Sequence, residues 1–213
     1  MLGMGAFEGF PADGPRFYAE LEENNTRDWW IEHKDVYERA VHEPMLALLD
    51  AMSEEFGPGK AFRPNRDVRF SPDKSPYKTH QGGFVAAAEG IGYYLHLDAS
   101  GLMVGGGFHA HTPETVARFR RAVNAEGPGA ELERVVGDVQ GAGFTIGGER
   151  LKTVPREFPK DHPRAELLKH KSLTAGITFG QPDWLDEPAA EDRIRERWRQ
   201  LRPLVEWLAE HVA

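Results

Sequence analysis

Cysteine is absent from the 213 residues. That excludes disulfides, thiolate nucleophiles, iron–sulfur clusters and cysteine-ligated zinc. Long apolar runs are missing too. The most hydrophobic stretch, GGFVAAAEGIGYYLHLDASGLMVGGGF, is broken by Glu89, Asp98 and many glycines, so no part of it is a bilayer-spanning helix. The opening MLGMGAFEGFPADGP has no basic start followed by an apolar run, the mark of a secretory leader. The expectation is a cytoplasmic protein without a membrane partner. Also lacking are a nucleophile-elbow serine, a dinucleotide-binding glycine fingerprint and a two-histidine zinc-protease motif. Gly105-Gly106-Gly107 sits in strand-like sequence with no lysine following, so it reads as a bulge or a close backbone approach. No cofactor is implied.

Positive charge is scarce overall. The formal net charge is −8, which disfavours a nucleic-acid-binding surface. What is there is unevenly placed. Between Lys60 and His80 six cations, Lys60, Arg63, Arg66, Arg69, Lys74 and Lys78, meet only two acids, Asp67 and Asp73. Length and ordinary globular composition suit one domain spanning 1–213; the oligomeric state is left open.

The first quarter reads helical. Asp13 is placed to cap a helix to about Asn24, and Thr26 to cap a second through Trp29, Trp30, Tyr37 and Val41. Pro44 marks a restart, with Met45, Leu48, Leu49, Met52 and Phe56 forming one apolar stripe that Gly57-Pro58-Gly59 ends. The middle changes period. GFVAAAE, GIGYYLHLD and GLMVGGGFH read as strands, the last two joined by a turn at Asp98–Gly101. Thr112 caps a helix carrying Val116, Phe119 and Val123, and another helix carries Leu132, Val135, Val136 and Val139. FTI and ERLKTV read as a hairpin about Gly147-Gly148, Arg164–Lys171 as a short helix and ITFG as a strand. A C-terminal helix carries Ile194, Trp198, Leu201, Val205 and Leu208, with a kink or break expected at Pro203. Helices, then antiparallel strands, then helices predict an α+β fold, an antiparallel mid-chain sheet packed with N- and C-terminal helices.

The chemistry concentrates in RPNRDVRFSPDKSPYKTHQGG, residues 63–83. Its prolines and paired glycines rule against helix. Arg66, Arg69, Lys74, Tyr77 and Lys78 are donors on a constrained backbone, and converging cations need a carboxylate or a bound anion to offset their repulsion. One reading is a cradle for a small phosphate- or carboxylate-bearing ligand. The other is a salt-bridged structural loop, with Asp67 half-buried between Arg66 and Arg69 as the centre of a network. Ser71 and Ser75 read as turn formers or hydrogen-bond donors. Tyr93 and Tyr94 point to opposite faces of a strand, so one belongs to the core and the other beside His96. His96, His80 and His162 are the candidates for proton transfer; His162, between Asp161 and Pro163, also suits a turn-fixing role. His96, His109 and His111, with Asp98 nearby, are the candidates for a metal set. A second basic stretch runs from Lys152 to Lys171.

Asn24-Asn25 followed by Trp29, Lys34 and Tyr37, then RDVRFSPDKSPYKTH, then YYLHL before a glycine-rich strand, then LKTVPREFPKDHP with LLKHKSL form one pattern. It resembles the conserved proteins grouped as domain of unknown function 2461. The resemblance runs from about Phe7 to Leu173 and on to the C-terminal helix. Glu157 departs from it, standing where a glycine is expected after Pro155-Arg156. The family carries no established reaction, so the resemblance implies no mechanism. Three functions stay open: binding of a small anion with or without catalysis, a non-catalytic module docking an acidic protein or nucleic acid through the basic face, and a histidine-ligated metal enzyme.

Overall fold

A computed structural model describes residues 5–69, 72–109 and 112–213. Helices α1 (Asp13–Glu23), α2 (Arg27–Tyr37), α3 (Glu43–Ala51) and α4 (Ser53–Phe56) come first. Strands β1 (Gly59–Ala61), β2 (His80–Ala88), β3 (Ile91–Asp98) and β4 (Gly101–Phe108) follow. Then come α5 (Pro113–Asn124), α6 (Glu126–Gly141), β5 (Thr145–Gly147), α7 (Ala165–Leu168), β6 (Leu173–Gly180) and α8 (Ala190–Val212). The six strands form one antiparallel sheet in the order β1-β2-β3-β4-β6-β5, and the fold is α+β. By contact density the chain divides into two units. The first is Met1–Val85, Tyr94–Val104 and Thr178–Arg195; the second is Ala86–Tyr93, Gly105–Ile177 and Glu196–Ala213.

In the first unit Thr26 accepts from the Trp29 N–H at 3.3 Å, the expected cap of α2. Asp13 does not cap α1. It lies in the first turn, where its carboxylate accepts from Arg16 and Arg39. Nor does Pro44 separate two helices. A π-helical turn, Glu38–His42, joins α2 to α3, and the Glu43 N–H reaches back to the Glu38 carbonyl. Pro44 has no N–H to offer the chain behind it, and the wider turn absorbs that defect. Met45, Leu48, Leu49 and Met52 are buried as the stripe predicts. They cover β1 and β2, where a Cβ on Gly83 would lie 2.7 Å from Met45 Sδ. β1 was not apparent in the sequence; it pairs antiparallel with β2, Gly59 opposite Val85.

In the second unit Phe108 packs on Phe119, ring centroids 5.1 Å apart, and Tyr93 on Trp198 at 5.2 Å. Thr112 caps α5 by accepting from the Thr115 N–H. Gly107, at φ +137°, is a close backbone approach, because any Cβ there would enter the Leu173 backbone. The expected FTI–ERLKTV hairpin is absent. β5 pairs instead with β6, Ile146 opposite Ala175, and Arg150 makes only a single bridge to His170. The predicted helix over Arg164–Lys171 shrinks to one turn, α7. Glu157 sits in a turn closed by Phe158 N–H to Pro155 O at 3.0 Å, with φ negative, so no glycine is required there. Helix α8 runs unbroken through Pro203. The proline is exposed.

Candidate functional site

The basic segment folds back on itself. Arg66 N–H donates to Pro76 O at 2.9 Å and Lys78 N–H to Pro64 O at 2.8 Å, a short antiparallel ladder bridged at Asn65 and Tyr77. Pro64 and Pro76 favour the extended backbone that such a ladder needs. Two contacts fasten it to the start of α2. Tyr77 is buried and stacks on Trp30, rings 4.0 Å apart and 10° from parallel. Asn25 uses both ends of its amide, accepting from the Tyr77 N–H at 3.1 Å and donating to its carbonyl at 3.0 Å.

At the tip the charges neutralise locally. Asp67 accepts from the Arg69 backbone N–H, Nε and Nη2, the last at 2.6 Å. Asp73 accepts from the Ser75 N–H and hydroxyl and from Arg66 Nη1. Those bonds hold Asp73 down at about 2, the Ser75 hydroxyl contributing most. Lys74 donates to the Val68 carbonyl. The expected network about a half-buried Asp67 is therefore not formed. Asp67 is 46% exposed, Arg69 is 76% exposed, and Arg66 turns to Asp73. An i, i+2 carboxylate closes a local turn at less entropic cost than a more distant partner. Ser71 lies outside the described residues.

At the base of the loop the pattern changes. Lys78 donates to the Arg63 carbonyl, and the Lys60 and Lys78 ammoniums stand 5.9 and 5.7 Å from the centre of the Phe62 ring. Among the described residues Lys60, Arg63 and Lys78 form no ion pair with a carboxylate, although Arg63 is near enough to help hold the Asp67 pKa down. Beneath them lies a face of the sheet. Alternation along β3 puts Tyr94, His96 and Asp98 on one side. Tyr94 Oη is 3.2 Å from His96 Nδ1, and His96 Nε2 is 3.0 Å from Asp98 Oδ2. Asp98 Oδ1 accepts from the Ser100 N–H and hydroxyl. Burial opposes ionisation of Asp98, but the bonds from Ser100 and His96 prevail and hold its pKa below the usual range. From β2, His80 stacks on His96 at 4.4 Å. Burial first, then His96 and Lys78, push His80 down to about 4, with Arg66 adding to the effect.

Gly82 completes the floor. A Cβ there would lie 2.7 Å from the Phe62 ring and 3.1 Å from Tyr94 Oη, so only glycine admits both. Gln81 is buried and donates through Nε2 to the Phe62 and Gly82 carbonyls at 2.8 Å, while its Oε1 accepts from Tyr37 Oη at 2.7 Å. Thus Arg66 and Lys78 come to the sheet face with His80, His96 and Tyr94. Arg69 and Lys74 are spent on their own loop, and Tyr77 is an anchor. Phe62, Gln81 and Ser100 were not singled out from sequence. The period-two pattern of YYLHLD was the usable signal for the β3 set; Phe62 follows a strand too short to announce itself.

The other candidates stand elsewhere. His162 Nδ1 accepts from the Arg164 N–H at 3.0 Å, the turn-fixing role. Arg164, 11% exposed, binds the carbonyls of Val123, Asn124 and Ala125 that end α5. Lys169 and Lys171 pair with Glu166 and Glu149. His109 is exposed, and its N–H donates to Gly90 just before β3, whereas His96 lies near that strand's end. His111 lies outside the described residues. Among the described residues no three histidine or carboxylate side chains are grouped to hold a metal ion, and no helix is long and apolar enough to cross a membrane.

Fold and site together define an α+β protein with a Tyr–His–Asp string on an antiparallel sheet, rimmed by cations. The chain belongs to the conserved hypothetical protein family DUF2461, whose profile matches residues 14–207. No curated protein and no solved structure is significantly similar to it.

Proposed function

We propose that the protein binds a small phosphate- or carboxylate-bearing ligand over the His80–His96 pair, and that His96 is the proton-transfer group there. The observation that carries this reading is the contrast within one loop. At the tip each arginine is bonded to its own aspartate. At the base Lys60 and Lys78 flank Phe62, Arg63 stands near Lys78, none of the three is ion-paired among the described residues, and Lys78 lies close enough to act on His80. In a chain of net charge −8, such an excess draws small anions from solution. His96, 22% exposed and held by Asp98, is oriented and reachable.

The test is thermal stability in phosphate or sulfate against chloride at equal ionic strength. A ligand at a hundredfold excess over its Kd stabilises the native state by about 2.7 kcal/mol. Salting-out raises every variant alike. The double variant Arg63→Gln, Lys78→Gln is expected to lose the specific increment, and Arg69→Gln, Lys74→Gln to keep it. Equal responses from wild type and both variants would remove the anion-binding reading.

A further inference from the structure

We propose that Tyr94 is the residue of this site that meets the ligand. Its oxygen takes a proton from the bound molecule while its own proton passes to His96 Nδ1. The hydrogen-bond directions require this order. Asp98 is an ionised acceptor, so His96 Nε2 must carry the hydrogen that joins them. A neutral ring then has a bare Nδ1, which accepts from Tyr94 Oη. Both ring nitrogens are thereby engaged within the protein, and the phenolic oxygen keeps its lone pairs for a ligand. In the transfer the ligand's X–H bond breaks, its electron pair staying on X, and a new Oη–H bond forms. The original Oη–H bond breaks as Nδ1–H forms, leaving an imidazolium paired with Asp98. The reverse sequence delivers a proton.

Two further observations single out this tyrosine. The chain has five. Tyr18, Tyr37, Tyr77 and Tyr93 are buried, and Tyr94 alone is half-buried. A Cβ on Gly82 would stand 3.1 Å from its oxygen and 2.7 Å from the Phe62 ring, so glycine there lets Tyr94 and Phe62 close together on the strand. Burial, with the Asp98 charge, raises the Tyr94 pKa, so at neutral pH the group is a phenol that reacts only with help from a neighbouring base. Asp98 and Ser100 act through His96 and are positioning residues.

This assignment rests on His96 being the site's proton-transfer group, and its test is separate from anion binding. The probe is an uncharged aryl sulfonyl fluoride. Tyr94 Oη forms the new bond to sulfur, the S–F bond breaks, fluoride leaves, and His96 receives the phenolic proton. Peptide mapping is expected to place the aryl sulfonyl group on Tyr94. His96→Gln and Asp98→Asn are each expected to slow labelling at least about ten-fold. Against the pair stand His80, stacked on His96, and Asp98, bonded to it, while Lys78 and Arg66 act on His80. Burial, His96 and Lys78 hold the His80 pKa down at about 4. The wild-type rate should therefore follow the His96 titration, read independently by imidazole NMR, which decides the matter even if His96→Gln does not fold. Labelling at a lysine instead of Tyr94, a rate unchanged in Asp98→Asn, or a profile rising only with the phenol's own ionisation would each overturn the assignment. Tyr94 labelling that persists when phosphate fails to stabilise the protein would sink the anion reading alone.

Discussion

His80 is held neutral by its surroundings, and that gives one side chain a measurable share of the pH response. Its pKa falls from 6.5 to about 4 on folding. Between those values the unfolded chain binds the extra proton, so this contribution is complete above pH 6.5 and is lost as pH falls towards 4. With allowance for solvent at a half-buried ring, the loss is about 1–2 kcal/mol. Denaturant midpoints at pH 7 and 4.5 should differ more for wild type than for His80→Phe. A second outcome concerns Gly82. Gly82→Ala drives a methyl against Phe62 and the Tyr94 hydroxyl, and is expected to cost about 1–3 kcal/mol in a chemical melt. Much of this face was legible in the sequence, because alternation in YYLHLD sorts Tyr94, His96 and Asp98 from buried Tyr93 and Leu95. The partners across the strand were not, since nothing in the chain order says that His80 lies against His96.

The 63–80 loop separates charge from stability at the level of a single element. Its tip pairs are exposed and close short turns. Asp67→Ala is therefore expected to leave the melting temperature within error of wild type, where a buried pair would have shown a clear drop. The anchor behaves oppositely. Asn25→Ala strips two hydrogen bonds from the half-buried Tyr77 backbone and should cost about 1–3 kcal/mol, read by urea unfolding. The loop was legible in its prolines and charges, whereas the local bonds that tie Arg66 to Asp73, Arg69 to Asp67 and Lys74 to the Val68 carbonyl were not. Also legible were β4 and α8, whose apolar periodicity is long. Strand β5 was not: it is three residues whose partner, β6, lies beyond α7, so a local turn signal at Gly147-Gly148 pointed the wrong way.

Across the whole molecule, every passage of the chain from one unit to the other falls inside β2, β3, β4, β6 or α8. Each of these points lies within a regular strand or helix and not in a loop, although the one in β4 adjoins Gly105-Gly106-Gly107. We expect a single cooperative unfolding transition, with tryptophan fluorescence and far-ultraviolet circular dichroism coinciding; two resolved midpoints would count against one domain. The clamp on the basic loop carries a kinetic consequence as well. Asn25 and Tyr77 are 52 residues apart, so the loop closes only after α2 and the start of β2 have met, and the entropy of that closure is met late. Loss of the clamp should then quicken unfolding and leave the refolding rate nearly untouched. The face that carries Lys78 and His80 would be the last to assemble and the first to come apart.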